Sequence, residues 1–239
     1  MKSISQIDYI GSELELFKLA TNWKKYFAKK LIPFIKGDVL EVGAGIGINT
    51  QYLAVNTHLI SSWWFLEPDP LLATQIEHNT SQVNIANKKV INGVITDIND
   101  KTFDTIIYID VLEHIKESSE EIKKIKLRLN PNGHLIILVP AYNFLYSNFD
   151  KKIGHYRRYN KSILASEINN SLKTVSLFYL DSMGFFASLA NKLFLRKELP
   201  NTTNIIFWDK YLIRMSMFFD IISIHSFGKS LIGIFKNEH

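Results

Sequence analysis

The chain has 239 residues, of which 46% are apolar and 21% charged, with a formal net charge of +5. These proportions exclude intrinsic disorder and describe one elaborated globular domain with a substantial core. Cysteine is absent, which excludes disulfides and cysteine–metal sites and favours a reducing compartment. The positive residues are dispersed except between Lys151 and Lys161, so no nucleic-acid-binding stripe is expected.

In chain order, Leu16, Leu19, Trp23, Phe27 and Leu31 recur at intervals of three and four, which predicts an amphipathic helix over 13–32 that Pro33 ends. Apolar segments at 38–42, 60–66, 88–95, 104–109 and 133–139 then alternate with helical stretches, the pattern of a parallel, doubly wound α/β sheet. One such helix is expected at about 116–129, ending before Pro131-Asn132-Gly133. Two further strands are expected at 173–179 and 229–236. No linker or repeat divides the chain, so 1–239 reads as a single domain. Its core at 38–140 carries two additions, at 140–161 and 184–223. The N-terminus lacks a signal-peptide run, and no stretch reaches about 18 uninterrupted apolar residues. A cytoplasmic protein is expected.

The most informative stretch is Val39-Leu40-Glu41-Val42-Gly43-Ala44-Gly45-Ile46-Gly47. A strand runs into a glycine turn, where the lack of Cβ atoms lets the backbone approach a ligand. In a dinucleotide fingerprint the third glycine would stand at position 48, which holds Ile48, and no lysine follows Gly47 as a phosphate loop requires. Glu41 would repel a pyrophosphate and attract an ammonium group. The ligand read from these residues is a cationic, phosphate-free nucleoside. Glu67 lies where a ribose-binding acid is expected, and its two oxygens suit a vicinal diol.

At these residues the chain resembles the class I S-adenosylmethionine-dependent methyltransferases. Glu41-Val42-Gly43-Ala44-Gly45-Ile46-Gly47 is similar to their first motif, and Phe65-Leu66-Glu67-Pro68-Asp69 to the end of their second strand. Thr96-Asp97-Ile98 resembles the turn bordering the adenine. Phe103-Asp104 through His114-Ile115 resembles the fourth strand and the segment after it. Leu129-Asn130-Pro131-Asn132-Gly133 resembles an L-x-P-G-G turn, with Asn132 in place of the first glycine. The resemblance implies a Rossmann-like, seven-stranded, mostly parallel sheet with an antiparallel last strand and helices on both faces. It implies S-adenosyl-L-methionine as cofactor, held by Glu41, Gly43, Gly45, Glu67, Asp97 and Asp110.

The segment Val139-Pro140-Ala141, Asp150 and Gly154-His155-Tyr156-Arg157-Arg158-Tyr159 narrows the likeness. It is similar to a bacterial methyltransferase branch often associated with cell-surface glycan and lipid-linked sugar assembly. Phe207-Trp208-Asp209, Asp220 and Gly228-Lys229-Ser230-Leu231 extend that match. The implied reaction is methyl transfer to a small or lipid-linked acceptor at oxygen.

His155 is the general-base candidate, set against a purely structural histidine, and Asp110 stands where cofactor and acceptor would meet. Arg157 and Arg158 are candidates for clamping a phosphate or carboxylate on the acceptor, although adjacent arginines face apart and one is expected to pair with Asp150 or another acid in the fold. Glu113 and His114 are two neighbouring ligands with no evident third, so no metal is expected. The aromatic segment 184–223 reads as packing first, and then as an acceptor lid or a membrane-surface contact. A nicotinamide-dependent oxidoreductase and a non-catalytic cofactor-binding subunit are the alternative functions.

Overall fold

The computed structural model describes residues 14–168, 171–195 and 201–238. The central sheet has seven strands: β1 (Gly37–Val42), β2 (Ile60–Glu67), β3 (Lys88–Asn92), β4 (Phe103–Ile109), β5 (Leu129–Pro140), β6 (Lys173–Leu180) and β7 (Ser230–Lys236). Their order is β3-β2-β1-β4-β5-β7-β6. The first five strands pair in parallel, while β7 is antiparallel to both β5 and β6. All seven strands lie at or next to the expected positions.

The strands read as unbroken apolar runs because the sheet is covered on both faces. Successive side chains of β5 alternate, with Ile136 and Leu138 in one buried cluster and Leu135, Ile137 and Val139 in the other. Helix α5 (Ser118–Arg128) covers one face through Ile122 and Ile125, while Glu120 and Lys123 pair on its outer side. Helix α4 (Pro70–Asn79) starts where Asp69 accepts hydrogen bonds from Leu71 N and Leu72 N, with Pro70 in the first turn. Asn132 has φ 62°, a left-handed value that asparagine tolerates, so it serves the turn in place of a glycine.

Two boundaries differ from the sequence reading. The helix expected over 13–32 is two helices, α1 (14–18) and α2 (Thr21–Leu31), with residue 13 outside the described residues. The break exposes the first N–H groups of α2, and the carboxylate of Asp209 receives Asn22 N at 3.1 Å and Trp23 N at 2.8 Å. An apolar periodicity runs through such a break unseen, because the capping group is remote in sequence. The strand expected over 88–95 ends at Asn92, after which Ile95–Asp97 forms a 3-10 turn.

A short helix, α3 (Thr50–Leu53), follows β1. After β5 the chain forms α6 (Asn148–Lys152) and returns to the carboxyl end of β5, where Tyr142 N donates to Tyr159 O and Tyr159 N to Pro140 O. Helix α7 (Lys161–Ile168) leads to β6. The described part of 184–223 falls in α8 (Ser182–Ala190), α9 (Thr202–Phe207) and α10 (Ile213–Ile222), with π-helical turns at Asn191–Leu195 and Trp208–Leu212. No helix among the described residues is long and apolar enough to cross a membrane.

Candidate active site

At the carboxyl end of β1 the backbone turns through Gly43 (φ 61°) and Gly45 (φ 58°). A Cβ on Gly43 would stand 2.5 Å from Val111 Cγ2, so only glycine admits this turn beside the end of β4. Gly45 N donates to Glu67 Oε2 at 2.7 Å, and Asp69 N donates to Glu67 Oε1 at 2.9 Å. Glu67 therefore ties the glycine turn to the end of β2. Each oxygen keeps a further lone pair, as a ribose diol needs. Burial raises its pKa, against the two backbone donors.

Glu41 is buried and lines neither of the cavities described below. Thr50 Oγ1 (2.7 Å) and Trp63 Nε1 (2.9 Å) both donate to its Oε2. Burial outweighs these bonds and pushes the carboxyl up to about 7. The glycine turn lines the first cavity, and the two carboxylates at the ends of neighbouring strands lie behind it; together they fit a cationic nucleoside. Asp97 is placed differently: it is exposed, and its carboxylate receives Val94 N at 2.7 Å, closing the turn after β3.

Asp110 follows β4 with φ 53°, its N–H donating to Leu138 O at 2.9 Å. It is open to the water of the cavity yet surrounded by protein. The resulting desolvation pushes its carboxyl up to about 6, against the favourable charges of His155, Lys229 and Lys24.

The loop at 140–161 is organised around Asp150. Burial alone would raise this carboxyl, but hydrogen bonds and charge from His155 and Arg158 hold it well below the usual carboxylate range. Arg158 grips it in bidentate fashion (Nε 2.8 Å, Nη2 3.0 Å), and His155 Nδ1 lies 2.9 Å from Asp150 Oδ1. Ser147 adds its N–H and hydroxyl at 2.8 and 2.9 Å. Arg157 lines neither cavity; it bonds Ser118 Oγ at 2.7 Å and approaches Glu167 at 3.4 Å. Both arginines are thus engaged within the fold.

Two cavities meet above these strand ends. The first, about 250 Å³, is bounded by Gly43–Ile46, Asp110, Glu113, His155 and α2. The second, about 380 Å³, lies between Phe149, α8, α9 and Trp208. Phe17, Phe149, Arg158, Trp208 and Lys229 border both.

Lys24 and Lys229 were not singled out as site residues by sequence reasoning. Lys229 sits over the Trp208 ring, 4.6 Å from its centroid, and burial lowers its pKa. Lys24 donates to Phe17 O, and burial lowers it to about 8. The available signal was a lysine next to Trp23 on the apolar side of a predicted helix. The quoted segments Phe207-Trp208-Asp209 and Asp220 turn out to pin the α8–α10 addition to the core. Asp220 accepts from Tyr26 OH, Asp181 N and Ser182 N, at 2.8, 2.8 and 2.9 Å.

The strand order and the acid-flanked glycine turn define a class I S-adenosylmethionine-dependent methyltransferase fold. Residues 15–184 match the family model described as a methyltransferase domain, and the chain belongs to that family. No curated protein matches the sequence. Among solved structures, coclaurine N-methyltransferase bound to N-methylheliamine and SAH is similar, with a TM-score of 0.60, 15% identity and coverage of 91% of this chain and 72% of that one. So is an S-adenosylmethionine-dependent methyltransferase from Clostridium acetobutylicum (TM-score 0.58, 11% identity, 91% and 92% covered). A third is a Galdieria sulphuraria protein provisionally assigned as a sarcosine dimethylglycine methyltransferase (TM-score 0.60, 16% identity, 91% and 85% covered). At these identities the likeness is one of fold.

Proposed function

We propose that this protein methylates a hydroxyl of a small-molecule or lipid-linked glycan acceptor, using S-adenosyl-L-methionine. The observation that carries the reading is the glycine turn tied to Glu67, opening into one cavity that adjoins a second, more apolar one. When bound, the cofactor supplies the electrophilic methyl group. Gly43 and Gly45 give its backbone approach, Glu67 takes the ribose hydroxyls, and Glu41 takes the ammonium directly or through a water.

Asp110 is the better placed of the two proton acceptors. Its carboxylate is open to the first cavity and its pKa of about 6 suits a base near neutral pH, whereas His155 has carboxylates beside both ring nitrogens. The second cavity would take the apolar part of the acceptor. Phe186, Phe207, Tyr211 and Phe218 are exposed on the neighbouring helices, which supports a lipid-linked substrate presented at a membrane surface.

Calorimetry with S-adenosylhomocysteine tests cofactor use: saturable binding is expected, and none at high ligand concentration with folded protein overturns the reading. Labelled S-adenosylmethionine incubated with host extract tests turnover. Asp110→Asn should lower the rate about 10²–10⁴-fold if Asp110 removes the hydroxyl proton.

A further inference from the structure

The sequence presents Glu113 and His114 as neighbouring potential ligands and lacks a third. The fold supplies it. The hydrogen bond from Tyr156 N to Glu113 O (2.8 Å) brings the loop at 140–161 against the segment after β4, and within that loop His155 N donates to Asp150 O (2.9 Å). The ring of His155 then stands edge-on to that of His114, with centroids 4.6 Å apart. One ligand atom each from Glu113, His114 and His155 lie within 4.8 Å of one another.

We infer that Glu113, His114 and His155 form a binding site for a divalent transition-metal cation at the wall of the first cavity. Glu113 is 0% exposed, and neither carboxylate oxygen has a hydrogen-bond partner among the described residues. A carboxyl group in that position either keeps its proton or is ionised against a compensating cation. His155 Nε2 stands 3.8 Å from Glu113 Oε1, outside hydrogen-bond range. That spacing is close to what an ion needs, since bonds of about 2.0–2.2 Å meeting at a tetrahedral angle put two ligand atoms about 3.4 Å apart. Small side-chain rotations bring in the third ligand.

His155 is prepared for coordination. Its Nδ1 faces Asp150, itself fixed by Arg158, so a proton shared there leaves Nε2 as the ring nitrogen that faces Glu113. Carboxylates that orient a histidine in this way are the usual support of metal ligands. Two imidazoles and one carboxylate favour zinc, cobalt or manganese over magnesium, and leave coordination positions for an oxygen ligand from the cavity. The site stands on its own geometry; its use in holding the acceptor's oxygen near Asp110 rests on the methyltransferase reading.

Chelator-treated full-length protein, titrated with CoCl₂ under visible absorption and with ZnCl₂ by calorimetry, tests the site. One equivalent should bind, with ligand-field bands of low-coordinate cobalt. Glu113→Gln and the exposed-site variant His114→Ala, each checked by circular dichroism, should weaken binding about tenfold or more. The inference is overturned if folded wild type takes up no metal, or if both folded variants bind as tightly as wild type. S-adenosylhomocysteine titrated into the metal-free sample is a separate arm: failure there overturns the methyltransferase reading and leaves the cation site standing.

Discussion

Glu41 shows how one buried carboxylate couples binding to pH. In the folded protein its pKa is raised to about 7 from an ordinary 4.5, so below about 7 it is largely neutral and cannot pair with an ammonium group. Affinity for S-adenosylhomocysteine should rise between pH 6 and pH 8, with proton release detectable calorimetrically in buffers of different ionisation enthalpy. Stability runs the other way. The contribution is full below about 4.5, where both states hold the proton, and is lost as pH rises through about 7. The difference amounts to about 3 kcal/mol and should be missing from Glu41→Gln in urea titrations across that range. A flat affinity profile would remove Glu41 from the ammonium site. Glu67→Ala should weaken S-adenosylhomocysteine binding by about 1–3 kcal/mol, because the ribose diol loses its acceptor and Gly45 N loses its tie. Unchanged affinity would place the ribose elsewhere.

At the scale of elements, remote carboxylates decide where helices begin. Asp209 lies in the π-helical turn before α10, yet it caps α2 through Asn22 N, Trp23 N and Asn22 Nδ2. Asp209→Ala would orphan those donors at a buried junction. The urea midpoint should fall by an amount corresponding to about 2–4 kcal/mol. A midpoint equal to wild type would mean that water satisfies this helix start.

Strand positions were legible because buried parallel strands are short apolar runs between helices, as in Ile106-Ile107 or Leu135-Ile136-Ile137. The interruption at Leu19–Ala20 was not, since apolar spacing passes unaltered through it. Glu41, Gly43 and Gly45 could be picked out because the turn's backbone demands are local. A pairing of one arginine with Asp150 was legible, but which one takes it, and that Arg157 goes to Ser118 and Glu167, was not, because that depends on how the loop at 140–161 folds back.

For the whole molecule, the α8–α10 addition forms one wall of the second cavity while several of its aromatic side chains face outward. Ala187 borders that cavity and is exposed, so Ala187→Trp should be tolerated in folding and should narrow the space. Methyl transfer to acceptors in host extract should drop while S-adenosylhomocysteine affinity stays at the wild-type value. Equal transfer by both proteins would exclude the second cavity as the acceptor's seat.

Local order along the chain was sufficient to determine the alternating sheet, the carboxylate-flanked glycine turn and hence the class of reaction. Backbone conformation and hydrophobic spacing act over a few residues, and one sequence displays them directly. The meeting of Glu113 and His114 with His155, the neighbouring of two cavities at Trp208 and Lys229, and the linking of α2 to the distant α10 region were decided only by tertiary structure. These contacts join segments far apart in sequence, and each partner's burial, protonation and orientation exist only once the sheet has brought them together.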